Sequence, residues 1–400
     1  MSHPAASPGR WRLVPMLARD PGEPGRTATP LELFFDLVFV VAVSIAAVQL
    51  HHALTENHVV DGLLVYGLVF FGIWWAWMNF TWFATSFSTD DWLYRVVTFV
   101  QMGGVLVLAA GVEPAFTEHN FAPLVVAYVV MRVAMVSQWL RASRSAGERR
   151  RTTRIYAAGI TVLQVFWLLQ LTLSGPAAAV AIVVLVLAEL AVPVIAERQG
   201  ATPWHPHHIT ERYGLFTLIL LGESLLASAN AIIEALHDQQ SLTSLVSISV
   251  LALVVTAAMW WIYFWPPHHE SINSLAGSLR YGYVHYFVFA AAGAFSAGIE
   301  VEVDVLTGTS ELGEVAASFT VTVPVAVFVL GIWWIALRPN ADRVVNTAIP
   351  LGAVLVLLDP VIPVPFTVAA VVMVLMVVVL VLRQPLDRRG SERQDVVAGD

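Results

Sequence analysis

Apolar residues along most of this chain fall neither in strict alternation nor on a one-sided helical stripe. They form nearly unbroken blocks separated by short polar stretches. A helix rising 1.5 Å per residue needs about 20 apolar residues to cross about 30 Å of hydrocarbon, so each block predicts a transmembrane helix. Six are expected at 31–53, 59–84, 94–112, 121–141, 153–173 and 176–197, and six more at 210–234, 243–265, 278–300, 315–337, 343–359 and 364–382. A closed barrel would instead show short alternating segments, which the pattern lacks. The expected fold is therefore all-α, a polytopic transmembrane helical bundle of about 12 spans.

Composition agrees: 58% of the residues are hydrophobic, 12% are charged and the mean hydropathy is +0.72, a balance that cannot solvate a water-facing surface. The chain has no cysteine, which excludes disulfides, thiolate catalysis and thiolate metal or cluster sites. Residues 1–28 are rich in Pro, Gly and Arg without an apolar h-region, so they read as a disordered cytoplasmic tail, with the first span directing insertion. Residues 384–400 read as a second disordered cytoplasmic tail.

Charge fixes an expected orientation. Arg10, Arg12, Arg19, Arg26, the run Arg141–Arg154, Arg198, Arg338, Arg343 and the tail Arg383–Arg393 all fall on alternate connections. The opposite connections carry Glu56, Asp61, Glu118, Asp238, Glu302, Asp304, Glu311 and Glu314 instead. By the positive-inside rule both termini are cytoplasmic, as in a multi-pass protein of a bacterial inner (plasma) membrane. Topology and contact with anionic lipid account for the arginine run, and no nucleic-acid module is needed.

The two halves, 29–200 and 201–383, read as a diverged tandem repeat. Glu32 before Phe34 and Phe35 corresponds to Glu211 before Leu215 and Phe216. Trp74, Trp75 and Trp77 correspond to Trp260, Trp261 and Tyr263, and Arg95 to Arg280. Gly111-Val112-Glu113 corresponds to Gly298-Ile299-Glu300. Two six-span units would share one orientation, as in parallel-repeat transporters.

Charges within spans are costly and mark functional candidates. Arg132 lies near the centre of span 4, Glu223 near the centre of span 7, Glu189 in the inner half of span 6 and Asp36 about two turns into span 1. Arg132 is expected against one of the three carboxylates, as a structural ion pair or as a substrate or proton site. His285 in span 9 is either a titrating group or a hydrogen-bonded core residue. Thr29-Pro30-Leu31-Glu32 reads as a capping box, and Glu211 after Thr210 as a similar helix start. The tryptophans near the ends of spans 2 and 8 read as an aromatic belt. Gly103, Gly104, Gly293 and Gly298 are expected at close helix contacts.

A second group lies at the expected cytoplasmic face. Thr89-Asp90-Asp91, His205-Pro206-His207-His208 and His268-His269-Glu270 bring carboxylates and imidazoles to one side of the membrane. His205, His208 and His269 are candidate metal ligands, although they lack the i, i+4 spacing of a strong motif. Asp90-Asp91 also suits the cap of span 3. Arg95 and Arg280 read as interfacial anchors or as a charge relay.

Glu32-Leu33-Phe34-Phe35-Asp36-Leu37-Val38-Phe39-Val40, the Trp-rich span leading to Thr89-Asp90-Asp91, and His208-Ile209-Thr210-Glu211-Arg212-Tyr213-Gly214-Leu215-Phe216 to Leu221-Gly222-Glu223 resemble the bacterial low-temperature-requirement A family. The resemblance covers about residues 28–383 and implies a polytopic bacterial membrane protein without an assigned substrate. It adds weight to Asp36, Asp90, Asp91, His208, Glu211, Arg212 and Glu223. After Trp261-Ile262-Tyr263-Phe264 the chain reads Trp265-Pro266-Pro267, where the family pattern leads one to expect an acidic residue.

The functional expectation is a secondary or proton-coupled transporter acting on a small molecule or ion, with membrane lipids as partners and no cofactor. Homo-oligomerisation is compatible with it. The alternative is a membrane enzyme acting on a lipid-linked substrate with a metal held at the cytoplasmic face. The absence of a second acidic pair after Asp90-Asp91 weighs against that alternative.

Overall fold

A computed structural model describes residues 13–238, 242–362 and 366–386. Arg10, Arg12, Arg388, Arg389 and Arg393, which entered the charge pattern, lie outside the described residues, as does most of the expected C-terminal tail.

The protein is a polytopic helical bundle. Its main helices are α1 (Pro30–Thr55), α2 (Val59–Phe87), α3 (Trp92–Ala110), α4 (Ala122–Ser143), α5 (Arg150–Gln170) and α6 (Gly175–Glu197), followed by α7 (Pro206–Asp238), α8 (Leu242–Phe264), α9 (Leu275–Thr307), α10 (Glu314–Ile332), α11 (Arg343–Val356) and α12 (Thr367–Leu382). Among the described residues, 11 helical segments are long and apolar enough to cross a membrane. The helix α12 is apolar but has 16 residues, about 24 Å at 1.5 Å each and short of a full hydrocarbon thickness.

Local chemistry sets the helix starts. Thr29 and Glu32 form the expected capping box: the Thr29 amide and hydroxyl both donate to Glu32 Oε2 at 2.8 Å, and the Glu32 amide donates to Thr29 Oγ1 at 3.3 Å. Asp91 caps α3 by accepting from the Tyr94 amide at 2.9 Å. The helix α7 begins at Pro206, so His208 sits in its first turn rather than in a loop.

The helix α9 runs well past residue 300 to Thr307, where Gly308 ends it at φ 74 with its amide on the Asp304 carbonyl. Glu302 and Asp304 are therefore helical residues and not loop charges. Glu302 is buried and Asp304 is bonded to His51 and Thr55, so both acids lie within the folded helix and neither ends it.

Two compact units divide the chain. The first comprises residues 1–39, 75–114 and 119–209; the second comprises 40–74, 115–118 and 210–400. In the first, α3 packs on α4, α4 on α5 and α5 on α6. Gly104 lets Met131 and the Ala127 carbonyl approach α3, whereas Gly103 faces open space. In the second, the most extensive contact joins α9 to α10; α8 and α11 pack against this pair, and α12 packs on α8 and α11. Gly298 meets the Thr320 carbonyl of α10 so closely that a side chain could not fit, and Gly293 sits against the Tyr66 hydroxyl.

Large apolar side chains remain exposed along the outer helix faces, as on α6 with Val180, Val183, Val184 and Leu187. Water would penalise such a surface and lipid accepts it.

Candidate functional site

In the first unit the charged interior gathers at Glu189. Arg132 on α4 places Nη2 3.0 Å from Glu189 Oε2, and both side chains are fully enclosed, at 1% and 0% exposure. Trp75 on α2 donates its indole N–H to the same oxygen at 2.9 Å, and Gln164 on α5 donates to Oε1 at 3.1 Å. Glu189 thus collects donors from three helices. The Arg132 guanidinium also stands over the Tyr128 ring, 5.6 Å from its centroid, and Tyr128 meets Trp167 edge-on at 6.1 Å.

The site is donor-rich beyond those bonds. Arg132 Nε and Nη1, the Trp167 indole nitrogen and the Tyr128 hydroxyl are buried with no hydrogen-bond partner among the described residues, as is the acceptor Gln164 Oε1. A guanidinium carries five N–H donors and cannot shed its charge, so enclosing it with most donors unmet costs more than a closed structural pair requires.

Asp36 is held separately: Trp77 donates its indole N–H to Asp36 Oδ1 at 2.7 Å, with both residues buried. Trp74, Trp75 and Trp77 are interior residues, not members of an aromatic belt, because each packs fully inside and two of them donate to buried carboxylates. Trp260 and Trp261, by contrast, remain on the exposed surface.

At the helix ends of this unit, residues 13–29 form an irregular, turn-containing segment fastened by hydrogen bonds, although their Pro and Gly content suggests a tail. The Val14 amide donates to Asp91 Oδ2 at 2.9 Å, Arg141 pairs with the Asp91 carboxylate and donates to the Val14 carbonyl at 2.9 Å, and Arg26 donates to the Ala84 carbonyl at 3.0 Å. Burial raises the Asp91 carboxyl, but Arg141 and the Tyr94 and Val14 amides outweigh it and hold the group below its ordinary value. Arg19 forks onto Glu23 and, against the effect of burial, lowers that carboxyl.

His205 Nε2 lies 2.9 Å from the Glu23 carbonyl, and its Nδ1 accepts from the His208 amide at 3.2 Å. The buried His208 has Nε2 3.4 Å from Glu32. Both His205 nitrogens are thus engaged by backbone. Among the described residues no group of three or more His, Asp or Glu is placed to hold a metal, and His269 adds none to His205 and His208. Asp90 and Arg95 pair with each other on the exposed surface at 2.6 Å.

In the second unit, Arg212 is buried, Glu211 and Glu223 are half-buried and Arg280 is exposed. Glu223 has no hydrogen bond or ion pair among the described residues. His285 is a bonded core residue: Nδ1 donates to the Tyr281 carbonyl at 2.7 Å, which leaves Nε2 to accept from the Tyr263 hydroxyl at 3.1 Å. His268 mirrors it, with Nε2 on the Tyr263 carbonyl at 2.6 Å and Nδ1 accepting from the Tyr281 hydroxyl at 3.1 Å. Burial pushes the His268 imidazole down to about 4. Every nitrogen of this Tyr–His network is matched, so it rigidifies the unit.

Sequence reading missed Tyr263, Tyr281 and His268 as a group, because their union depends on the turn after α8. It also missed Trp75 and Gln164 as partners of Glu189; the available signal was a polar group on an apolar span.

Fold and interior together define a multi-pass helical membrane protein with a buried, incompletely matched charge cluster. The chain belongs to the bacterial low temperature requirement A protein (LtrA) family, whose sequence profile matches residues 27–382. It is also similar to an uncharacterised protein, RA0937, of Rhizobium meliloti (strain 1021), 30% identical over 244 residues that span 58% of this chain and 57% of that protein. The match thus takes in somewhat over half of the relative.

Proposed function

We propose that this protein is a secondary or proton-coupled transporter of a bacterial plasma membrane, with both termini cytoplasmic and the Arg132–Glu189 cluster on its path. The arginine distribution supports the orientation. One observation carries the functional reading: Arg132 is enclosed at mid-span with Nε and Nη1 unmatched, beside Trp167 and Tyr128 donors that are unmatched too. A purely structural pair is best served by a fully bonded guanidinium, whereas a path for a solute needs donors free to receive it.

The chemistry favours a hydrogen-bond-accepting or anionic solute on Arg132, with Glu189 as the group able to gain or lose a proton. Asp36 and Glu223 are the further intramembrane carboxylates assigned to the function, and membrane lipid is the partner.

The test is reconstitution of the full chain in vesicles containing a pH-sensitive dye, with proton flux followed on addition of a panel of small organic acids and inorganic anions. Arg132→Ala, Glu189→Gln and Glu223→Gln are expected to lose most solute-dependent flux while inserting normally. Full flux in Arg132→Ala and Glu189→Gln would overturn the assignment.

A further inference from the structure

We propose that the second unit carries a proton-binding site at the Thr55 end of α1, where His51 takes up a proton and, as an imidazolium, bridges Glu300 and Asp304 of α9. His51 Nε2 lies 2.7 Å from Asp304 Oδ2, and Nδ1 lies 3.3 Å from Glu300 Oε2. A neutral imidazole has one N–H, and an ionised carboxylate only accepts. With its single N–H on Asp304, a neutral ring turns the Nδ1 lone pair toward the Glu300 carboxylate 3.3 Å away, and a proton on Nδ1 converts that contact into an ion pair. The extra proton is the ligand.

The surroundings fit that role. Glu300 and Asp304 are one helical turn apart on α9, a like-charge pair that is unfavourable without a cation between them. Thr55 Oγ1 donates to Asp304 at 2.9 Å, and Asn230 of α7 lines the same cavity as Glu300. His52 is the other titratable group facing the site from α1, Asn230 brings a neutral amide from α7, and from the loop after α9 Glu311 reaches Thr55 through its backbone amide alone. A cavity of about 290 Å³ opens beside the ring, with Val48, Ala227 and Val303 in its wall, and gives protons a route in. The two ring nitrogens face different carboxylates, so the geometry suits an imidazolium held between them and not a chelated metal.

The step is a simple transfer: a proton moves from water in the cavity to an imidazole nitrogen, and no covalent bond between heavy atoms changes. Its loss leaves a nitrogen lone pair facing a carboxylate. The α1–α9 link then loosens at the cavity wall. This inference concerns the second unit and does not rest on the transport reading.

The absence of native cysteine allows a direct test on the full chain in lipid nanodiscs. Ala227→Cys, in the buried wall, reports opening to a membrane-impermeant thiol reagent. Val48→Cys, on the exposed rim, reports thiol ionisation alone. The ratio of the two labelling rates is expected to rise several-fold from acid to alkaline pH with His51 in place, and to stay flat in His51→Arg, which holds a permanent cation in the slot. In His51→Gln it is expected to be high throughout. Should His51→Gln fail to fold, the comparison with His51→Arg suffices, and Val303→Cys replaces a reporter that fails. A flat ratio with His51 present, or the same rise in His51→Arg, would overturn the proposal.

Discussion

Charge removal at Glu189 should cost more than charge removal at Arg132, and the structure says why. Glu189 holds three donors, from Arg132, Trp75 and Gln164. Without Arg132 the carboxylate keeps two of them and can take up a proton, so Arg132→Met is expected to cost about 1–3 kcal/mol, the range of a lost charged hydrogen bond. In Glu189→Gln the guanidinium loses its carboxylate at 1% exposure and cannot neutralise itself, so the expected cost is about 3–5 kcal/mol. The double variant removes both charges and leaves Trp75 and Gln164 facing an amide. It should return to within about 1 kcal/mol of the parent, a coupling well outside the additivity of independent sites. The assay is SDS-driven unfolding in mixed micelles, followed by tryptophan fluorescence. Arg132→Met costing as much as Glu189→Gln, or additive effects in the double variant, would refute the reasoning.

Three further outcomes follow from single contacts. Trp77→Phe removes the indole donor from buried Asp36 and should cost about 1.5–3 kcal/mol, while exposed Trp260→Phe should change stability by less than about 0.5 kcal/mol in the same assay. Gly298→Ala drives a methyl against the Thr320 carbonyl and should cost about 1–3 kcal/mol, whereas Gly103→Ala, in open space on α3, should be neutral or stabilising by up to about 1 kcal/mol; equal effects would contradict the packing. The third concerns His268, whose folded value lies near 4 against an ordinary 6.5. The unfolded chain therefore binds a proton in that window while the fold excludes it, so stability should fall by up to about 3 kcal/mol as pH drops from about 6.5 to about 4. Melting curves of His268→Gln should lose that slope, and an unchanged slope would assign it elsewhere.

What the sequence made legible, and what it did not, follows from the kind of signal each feature leaves. Hydropathy along one dimension marks a helix by its length, so the spans were readable to within a few residues, with α9 as an exception. There Glu302 and Asp304 resemble loop charges until the fold buries the one and bonds the other. Arg132 needs a carboxylate because lipid offers it none, but which carboxylate is a question of helix order, which the sequence leaves open among Asp36, Glu189 and Glu223. Trp74, Trp75 and Trp77 were misread for the related reason that position along a helix gives depth in the membrane while only packing gives direction. The same blindness hid His51. Nothing near His51 in sequence announces Glu300 and Asp304, some 250 residues on, and a span-end histidine otherwise reads as a solvated one. Charge pattern therefore predicts that a site must exist, while its membership is decided by which helix faces meet.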